Sequence, residues 1–178
     1  MDNEKPIYRP FPKVPLERRA WAFVIDFCII WLLSGISGSL ALQWLVFLGI
    51  WMLLRVIIVE RNRGQTLGRW ALDMKVLDPR FKKIPTIVAL IKREGILGTA
   101  ACLAMIGIQF YGIGNGIGMI LLCCPLFADC GFALADERFQ QTFHDQFAQT
   151  VIIQTRRGFS LDLRLKKLLA QLQQNMRK

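Results

Sequence analysis

Charged side chains are almost absent from two long segments of the sequence. Within residues 20–59 only Asp26 and Arg55 carry a charge, and within residues 95–135 only Asp129 does. Each segment contains about 40 residues, whereas about 20 apolar residues are enough to cross the hydrocarbon core of a bilayer. Each segment is therefore predicted to contain two membrane-spanning helices that fold back on each other as a helical hairpin.

Two clusters of small residues mark where these hairpins turn. Ser34–Ser39 has the sequence SGISGS and Tyr111–Gly116 has the sequence YGIGNG, and both compositions are typical of turns. The predicted fold class is an all-α membrane protein built as a four-helix transmembrane bundle. With these turns as boundaries, the four helices are predicted at residues 18–34, 40–60, 95–111 and 116–135.

Short strand segments are predicted outside the helices. Apolar and polar residues alternate over residues 72–77, and β-branched residues cluster at residues 151–153. We therefore expect these two segments to pair as strands. Pro85 is typical of a first helical turn, which places residues 86–93 at the membrane interface ahead of the third helix.

The C-terminal residues have the spacing of an amphipathic helix. Leucines recur at helical intervals between Leu161 and Leu172, and basic residues lie among them. A basic amphipathic helix is typical of a segment lying on the membrane surface, and a partner-binding helix is the alternative. The predicted organisation is an N-terminal arm (1–15), a transmembrane domain (16–154) with a middle loop (61–94), and a basic tail (155–178).

Basic residues are distributed unevenly along a chain that is 53% hydrophobic and carries a net charge of +10. The arm and the start of the first helix, as far as Arg19, contain five of them. Residues 61–93 contain nine and the chain from Arg138 onward contains eight, whereas neither turn contains any. Because lysine and arginine near helix ends are retained on the cytoplasmic side, both termini and the middle loop are predicted to be cytoplasmic.

This charge distribution also predicts the partners of the protein. A basic stripe can indicate nucleic acid, but these residues lie where membrane topology requires them, and no nucleic-acid-binding motif accompanies them. Attraction to anionic lipid headgroups, worth about 1 kcal/mol per basic residue near the surface, accounts for them better. The predicted partners are the lipid bilayer and a homo-oligomer or larger membrane complex, without nucleic acid.

The sequence contains no pattern typical of catalysis or cofactor binding. All five cysteines fall inside predicted helices, where buried thiols behave as small apolar residues. A single histidine leaves a Cys/His zinc site without its usual ligands. The glycines at residues 64 and 68 lack the Gly-Lys-Ser/Thr ending of a phosphate-binding loop. We therefore predict no enzymatic activity, no metal and no cofactor.

The three charges inside the predicted helices form the first candidate site. Asp26, Arg55 and Asp129 each lie about five to seven residues from the same end of the bundle, a depth of roughly 8–10 Å. Because a charge inside a spanning helix is costly and usually pairs, we expect the planar guanidinium of Arg55 to bridge both carboxylates. Arg19, two helical turns before Asp26 on the same face, is predicted to join this cluster.

The cluster has two interpretations. In the first, it is a static set of ion pairs that fixes how the four helices pack. In the second, Asp26 or Asp129 takes up and releases a proton, or binds a cation, as carboxylates in transport pathways do.

A second group of polar residues follows the fourth predicted helix. His144 and Asp145 are adjacent in the sequence, and no serine or cysteine nucleophile lies near them in the sequence. We expect them to make hydrogen-bonding or capping contacts with the loop at residues 65–66 rather than to act in catalysis.

Several short motifs, in this order along the chain, resemble the RDD family of membrane proteins. The resemblance covers about residues 16–154. The arginine and two aspartates for which the family is named would correspond to Arg19, Asp26 and Asp145. The motifs are Arg19-x-x-Ala22-x-x-Ile25-Asp26, Gly64-Gln65-Thr66-x-Gly68-Arg69, Lys75-Val76 with Asp78, Arg93, and His144-Asp145-x-x-Ala148-x-Thr150-Val151.

The resemblance implies a small multi-pass protein of the inner or another internal bacterial membrane, with a proposed role in transport that includes sodium/proton exchange by some relatives. Arg55 and Asp129 are not part of the family pattern, so their place in the cluster is predicted from this sequence alone.

Two function classes remain. One is transport of cations, protons or small solutes through the Asp/Arg cluster, with a path between protomers. The other is a non-enzymatic accessory or assembly protein whose basic tail binds a partner or lipid.

Overall fold

The computed structural model describes residues 14–135, residues 140–155 and Gln171. The predicted number of four spans is confirmed within these residues, whereas the N-terminal arm and nearly all of the predicted C-terminal helix lie outside them. The helical segments long and apolar enough to cross a membrane are Leu16–Ser37, Leu40–Arg61, Ile87–Gly112 and Gly116–Ala135.

The first span consists of α1 (Leu16–Ser34) and a short 3₁₀ turn (Gly35–Ser37). Gly38 then adopts a left-handed φ of 74°, which a residue without a Cβ does at little cost. The hydroxyl of Ser39 accepts a hydrogen bond from a backbone N–H in the first turn of α2 (Leu40–Met52) and caps that helix. The predicted turn thus separates the first two spans.

The second span is not a regular α-helix throughout. After α2 it continues through a π-helical segment (Leu53–Ile57) and ends with α3 (Ile58–Arg61). Short π-helical segments inside α-helices are rare and occur frequently at functional sites. Arg55 lies at the centre of this segment and is 2% exposed, so the irregular turn coincides with the buried charge of this span.

A tight turn leads the chain out of the second span. Gly64 has a φ of 84°, and a Cβ at this position would lie only 2.6 Å from the carbonyl oxygen of Val76, so a side chain is excluded there. The hydroxyl of Thr66 accepts a hydrogen bond from a backbone N–H in the first turn of α4 (Leu67–Ala71). β1 (Met74–Leu77) follows this short helix.

The third span starts earlier than predicted. α5 covers Ile87–Gly112, and the hydroxyl of Thr86 caps it by accepting a hydrogen bond from a backbone N–H in its first turn. The predicted start at residue 95 follows from the charges of Arg93 and Glu94, which were placed outside the helix. That boundary is wrong because both side chains are buried and paired, and a paired charge is compatible with the interior of a bundle.

The remaining elements are α6 (Gly116–Ala135), α7 (Phe143–Phe147) and β2 (Val151–Gln154). β2 pairs with β1 in an antiparallel two-stranded sheet, with Val76 opposite Ile152. The predicted pairing of two short strand segments is confirmed. The sheet connects the segment between the second and third spans to the chain that follows the fourth.

The spans pack around an aromatic core. α1 contacts α2, α2 contacts α5, and α5 lies along α6. Phe27, Phe47 and Trp51 are buried in this core, and the rings of Phe47 and Trp51 are stacked with their centroids 5.6 Å apart. Gly98 permits the close approach of α5, because a Cβ there would lie 2.7 Å from the Trp51 ring. This packing brings the charged residues of α1, α5 and the π-helical segment together.

Candidate functional site

Nine ionisable side chains are gathered at the end of the bundle where α1 and α5 begin, and we term this group the buried charge network. Every member except Arg19 is 5% exposed or less, and the Arg19 side chain is 9% exposed. Four positive and four negative charges balance when the histidine is neutral. The members are Arg19, Arg55, Arg69, Arg93, Asp26, Glu94, Asp129, Asp145 and His144.

Glu94 of α5 lies at the centre of the network. Its Oε2 accepts a hydrogen bond from the Nε of Arg55 at 2.7 Å. Its Oε1 accepts from the Nη1 of Arg93 at 3.0 Å and from the Nη2 of Arg69 at 3.3 Å. Because each of these bonds joins two ionised groups, it is stronger than a bond between neutral partners. One carboxylate therefore links the second span, α4 and the third span.

Asp26 of α1 is held by two donors. Its Oδ2 accepts a hydrogen bond from the Nη1 of Arg55 at 2.8 Å, and its Oδ1 accepts from the backbone N–H of Gly68 at 2.7 Å. A Cβ on Gly68 would collide with the backbone carbonyl of Ala22, so glycine permits α4 to approach α1. This close approach brings the N–H of Gly68 within reach of the carboxylate.

The prediction that Arg55 bridges Asp26 and Asp129 is corrected. Arg55 does bridge two carboxylates, but they belong to Asp26 and Glu94. The physical reason is the identity of the helix that packs against Arg55. α5 packs against the π-helical segment that carries Arg55, so an acid on α5 reaches the guanidinium. Equal depth in the membrane does not specify which helices are neighbours.

Asp145 of α7 is paired with two arginines. Its Oδ1 accepts a hydrogen bond from the Nε of Arg93 at 2.8 Å, and its Oδ2 accepts from Arg19. Arg19 therefore belongs to the same network as Asp26, as predicted, but its direct partner is Asp145. Burial by itself would raise the pKa of Asp145, but the guanidiniums of Arg93 and Arg19 outweigh it and hold that pKa well below its usual range.

Asp129 of α6 is paired with His144 of α7. The backbone N–H of His144 donates to Oδ1 at 2.9 Å, and its ring Nδ1 lies 2.6 Å from Oδ2. An ionised carboxylate only accepts hydrogen bonds, so with Asp129 ionised the proton of this contact is on Nδ1. The Nη2 of Arg93 lies 3.4 Å from Nε2 on the other side of the ring, so the imidazole lies between an acid and a guanidinium.

The predicted contact between His144 and the loop at residues 65–66 is wrong. Thr66 caps α4, and the side chain of Gln65 donates to the carbonyl oxygen of Met74 at 2.8 Å. The backbone N–H of Thr150 donates to the carbonyl oxygen of Asp145 at 2.9 Å. These motif residues determine the path of the backbone around the network, because their hydrogen bonds involve backbone groups.

A cavity of about 390 Å³ lies beside the network, between α1 and α6. Every network member except Glu94 and Asp145 lines it. Apolar side chains form the rest of its wall, among them Phe23 of α1 and Leu126 of α6. The lining of the cavity therefore combines charged and apolar side chains.

Of the three arginines that bond to Glu94, Arg69 has the least negative charge around it. Its Nη2 donates to Glu94, whereas its buried Nη1 has no hydrogen-bond partner among the described residues. Burial, together with the positive charges of Arg93 and Arg55, lowers the pKa of Arg69 to about 9. The surroundings of Arg69 are thus short of negative charge.

Sequence reasoning did not place Glu94 or Arg69 in the candidate site. Thr86 was a usable signal, because a helix capped there carries Glu94 about two turns inside the span. Arg69 was named only as the last residue of the Gly64-Gln65-Thr66-x-Gly68-Arg69 motif, and its burial depends on the contact between α4 and α1. As for metals, residues 14–135 and 140–155 contain no group of three His, Cys, Asp or Glu side chains that could hold an ion.

The similarity of this chain to known proteins lies at the level of family. The model of the RDD family matches residues 13–149. No curated protein and no solved structure matches the chain. The matched segment contains all nine members of the buried charge network and both helices that border the cavity.

Proposed function

Because the chain belongs to the RDD family of membrane proteins, we propose that it is a multi-pass transport protein that moves protons, cations or small solutes through the cavity between α1 and α6. The observation that carries this proposal is the cavity, because seven ionisable side chains of the network line one internal space. Charged residues inside a membrane-spanning bundle are costly and usually mark a substrate pathway or a proton relay.

The proposal includes an orientation. Both termini and the connection at residues 62–86 lie in the cytoplasm, because the basic residues of the chain flank that end of the bundle. The four spans form two helical hairpins in the inner or another internal bacterial membrane, and their turns lie on the opposite side. The network then lies at the cytoplasmic end, where anionic lipid headgroups attract the basic arm and tail. A homo-oligomer would place a second cavity beside the first.

Asp129 and His144 are the pair best suited to exchange a proton. The ring Nδ1 of His144 and the Oδ2 of Asp129 are 2.6 Å apart, a distance at which a proton can pass between them, and both residues line the cavity. Asp26 is less suited, because its donors are a guanidinium and a backbone N–H, neither of which exchanges a proton at physiological pH, whereas the partner of Asp129 is an imidazole. This favours Asp129 over Asp26 among the two carboxylates that the sequence left as alternatives.

Proton uptake by His144 would change the charge balance of the network. The groups that face its ring or backbone are Asp129, Asp145, Arg93 and Thr142. Since the other charges are balanced four against four, one added proton leaves the site with a net positive charge. A change of one charge in a buried site changes its affinity for any ion in the cavity, which is the physical basis of coupled transport.

Flux in sealed proteoliposomes tests this function. A pH-sensitive dye inside the vesicles reports proton movement when sodium or potassium is added outside. Wild type is expected to exceed protein-free vesicles, and Asp129→Asn and His144→Gln are expected to reduce the flux to that background. Glu60→Gln is the matched control, because it removes an exposed acid near the same end of the bundle. Wild-type flux equal to that of protein-free vesicles for every ion and solute tested would reject the transport function.

An accessory or assembly role is the second candidate. It is favoured by the saturation of the network, since both oxygens of each of the four carboxylates have a hydrogen-bond donor. A fully satisfied buried network stiffens a core and specifies how it packs. In this role the protein is no enzyme and binds no nucleic acid, and its basic tail recruits a partner complex or lipid. Deletion of residues 157–178 should then abolish co-purification of the partner, and retention of every partner would remove the role of the tail.

A further inference from the structure

We infer that the cavity between α1 and α6 binds an amphiphilic organic anion, whose carboxylate or phosphate group contacts Arg69 and whose hydrocarbon part lies against the apolar wall. This inference rests on the proposed function, since it names the class of solute that the cavity accepts. Three features of the site support it.

The first feature is an unused donor on a buried cation. Arg69 lines the cavity and is 3% exposed, and its Nη1 has no hydrogen-bond partner among the described residues. Arg55 and Arg93 share Glu94 with Arg69, but each of them also bonds to an aspartate. A buried guanidinium with one carboxylate contact at 3.3 Å still gains energy from an oxyanion, because charge-assisted hydrogen bonds are the strong ones.

The second feature is that the acids lining the cavity already accept hydrogen bonds from the protein. Asp26 and Asp129 each have both carboxylate oxygens occupied by donors of the protein. Their negative charges are therefore compensated within the network, whereas the charge on Arg69 is compensated in part. The lowered pKa of Arg69 agrees with this balance, because burial and the neighbouring guanidiniums disfavour its positive charge. An entering anion would reverse that effect, so Arg69 favours an anion as its neighbour.

The third feature is the apolar wall and where it leads. Val24 of α1 and Phe127 of α6 line the cavity, yet they are 42% and 71% exposed. The cavity therefore opens along the face of the bundle between these two spans, which a bilayer would cover. A hydrocarbon chain can lie in this opening while the anionic group stays inside. The volume of about 390 Å³ falls within the range of about 300–1,000 Å³ that is usual for small-molecule sites.

Binding of octyl phosphate to the full chain tests the inference. The protein is placed in phosphatidylcholine nanodiscs, and calorimetric titration is corrected with protein-free nanodiscs. We expect saturable binding of one octyl phosphate per chain, weaker binding of inorganic phosphate, and no saturable binding of octyltrimethylammonium, which has the same hydrocarbon chain and the opposite charge. Arg69→Gln should weaken binding of octyl phosphate about ten- to hundredfold, as expected for loss of a charge-assisted hydrogen bond.

Two further variants make the test specific. Arg61→Gln removes an equal charge from an exposed position outside the cavity and should leave the affinity unchanged. Ala20→Phe adds bulk to the cavity wall without changing any charge and should weaken octyl phosphate more than inorganic phosphate. The inference is overturned if wild type does not saturate with octyl phosphate, or if Arg61→Gln weakens binding as much as Arg69→Gln. If Arg69→Gln does not fold, the inference is tested by Ala20→Phe and by the comparison of octyl phosphate with inorganic phosphate and with octyltrimethylammonium.

The source of the anion is a separate question with its own measurement. Native mass spectrometry of protein from nanodiscs that contain phosphatidylglycerol shows whether a bilayer lipid occupies the site. An adduct present in wild type and absent in Arg69→Gln assigns the anion to lipid, and octyl phosphate binding without such an adduct assigns it to a soluble amphiphile. Binding without flux in proteoliposomes would retain this inference and reject transport, whereas flux without Arg69-dependent binding would reject this inference alone.

Discussion

The Nε of Arg55 and the Oε2 of Glu94 lie 2.7 Å apart, although the two residues are 39 positions apart in the sequence. Their contact joins the π-helical segment of the second span to the third span. Through its other oxygen Glu94 also holds Arg69 and Arg93. A single buried carboxylate therefore contacts three guanidiniums, and the network should depend on Glu94 more than on any residue at its rim.

Replacing Glu94 with glutamine should strongly destabilise the fold. Glu94→Gln keeps the shape of the side chain but leaves three buried guanidiniums without a shared negative charge, and breaking a buried ion pair costs about 3–5 kcal/mol. Unfolding of the purified protein in detergent measures the free energy of unfolding. Glu60→Gln, at an exposed position, should change it by less than about 0.5 kcal/mol. Equal effects of the two variants would show that Glu94 does not hold the network together.

Replacing Gly68 with alanine should separate α4 from α1. The added Cβ would collide with the carbonyl of Ala22 and disturb the hydrogen bond from the Gly68 N–H to Asp26. Overpacking of this kind usually costs about 1–3 kcal/mol. Gly49→Ala is the matched control, since nothing lies within 4 Å of its Cβ position and alanine favours a helix by up to about 1 kcal/mol. The prediction fails if both variants unfold at the same temperature as wild type.

The stability of the protein should depend on Asp145 in a defined range of pH. The pKa of Asp145 in the folded protein is well below its usual range, whereas an unfolded aspartate has a pKa of about 3.9. The stabilisation from this carboxylate is therefore fully present above about pH 4 and is lost as the pH falls through the folded-state value. At neutral pH Asp145→Asn should unfold at a lower temperature than wild type.

The same variant, Asp145→Asn, tests the predicted pH dependence of stability. Thermal unfolding of wild type and Asp145→Asn is compared between neutral pH and about pH 3, where the gap between them should narrow. Glu60→Gln should follow wild type throughout this range. A gap that stays constant as the pH falls would mean that the charge of Asp145 does not stabilise the fold.

Thiol labelling should verify the proposed orientation. In a variant whose five cysteines are replaced, Ile36→Cys introduces a thiol in the turn after α1 and Arg80→Cys introduces one in the connection after β1, both at exposed positions. A membrane-impermeant maleimide added to intact cells should label Ile36→Cys alone, because the basic connection is retained inside. Labelling of Arg80→Cys before permeabilisation would reverse the orientation.

The four spans and the pairing of β1 with β2 were predictable because they depend on local patterns. A run of apolar residues of bilayer length forms a helix whatever lies beside it, and alternation over residues 72–77 indicates a strand by itself. The start of α5 had a local signal in Thr86, which caps the helix. Whether Arg93 and Glu94 are buried inside a span was not predictable in this way, because it depends on the partners that neutralise them, and those partners come from other segments of the chain.

The candidate site shows the same division. The burial of Asp26, Arg55 and Asp129 at a similar depth was predictable from their positions in the spans. The pairing of Arg55 with Glu94, of Arg19 with Asp145, and of Asp129 with His144 did not. Depth along a helix is a property of the sequence, whereas the identity of the neighbouring helix is decided by packing.

By itself, the amino-acid sequence determined that this protein has four apolar spans, a basic end and a few charges that have to be paired within the bundle, because transfer into hydrocarbon depends on each segment alone. Only the tertiary structure decided which charges meet and that a cavity lies between α1 and α6. These features depend on contacts between segments that are distant in the sequence, and such contacts are not encoded in any one segment.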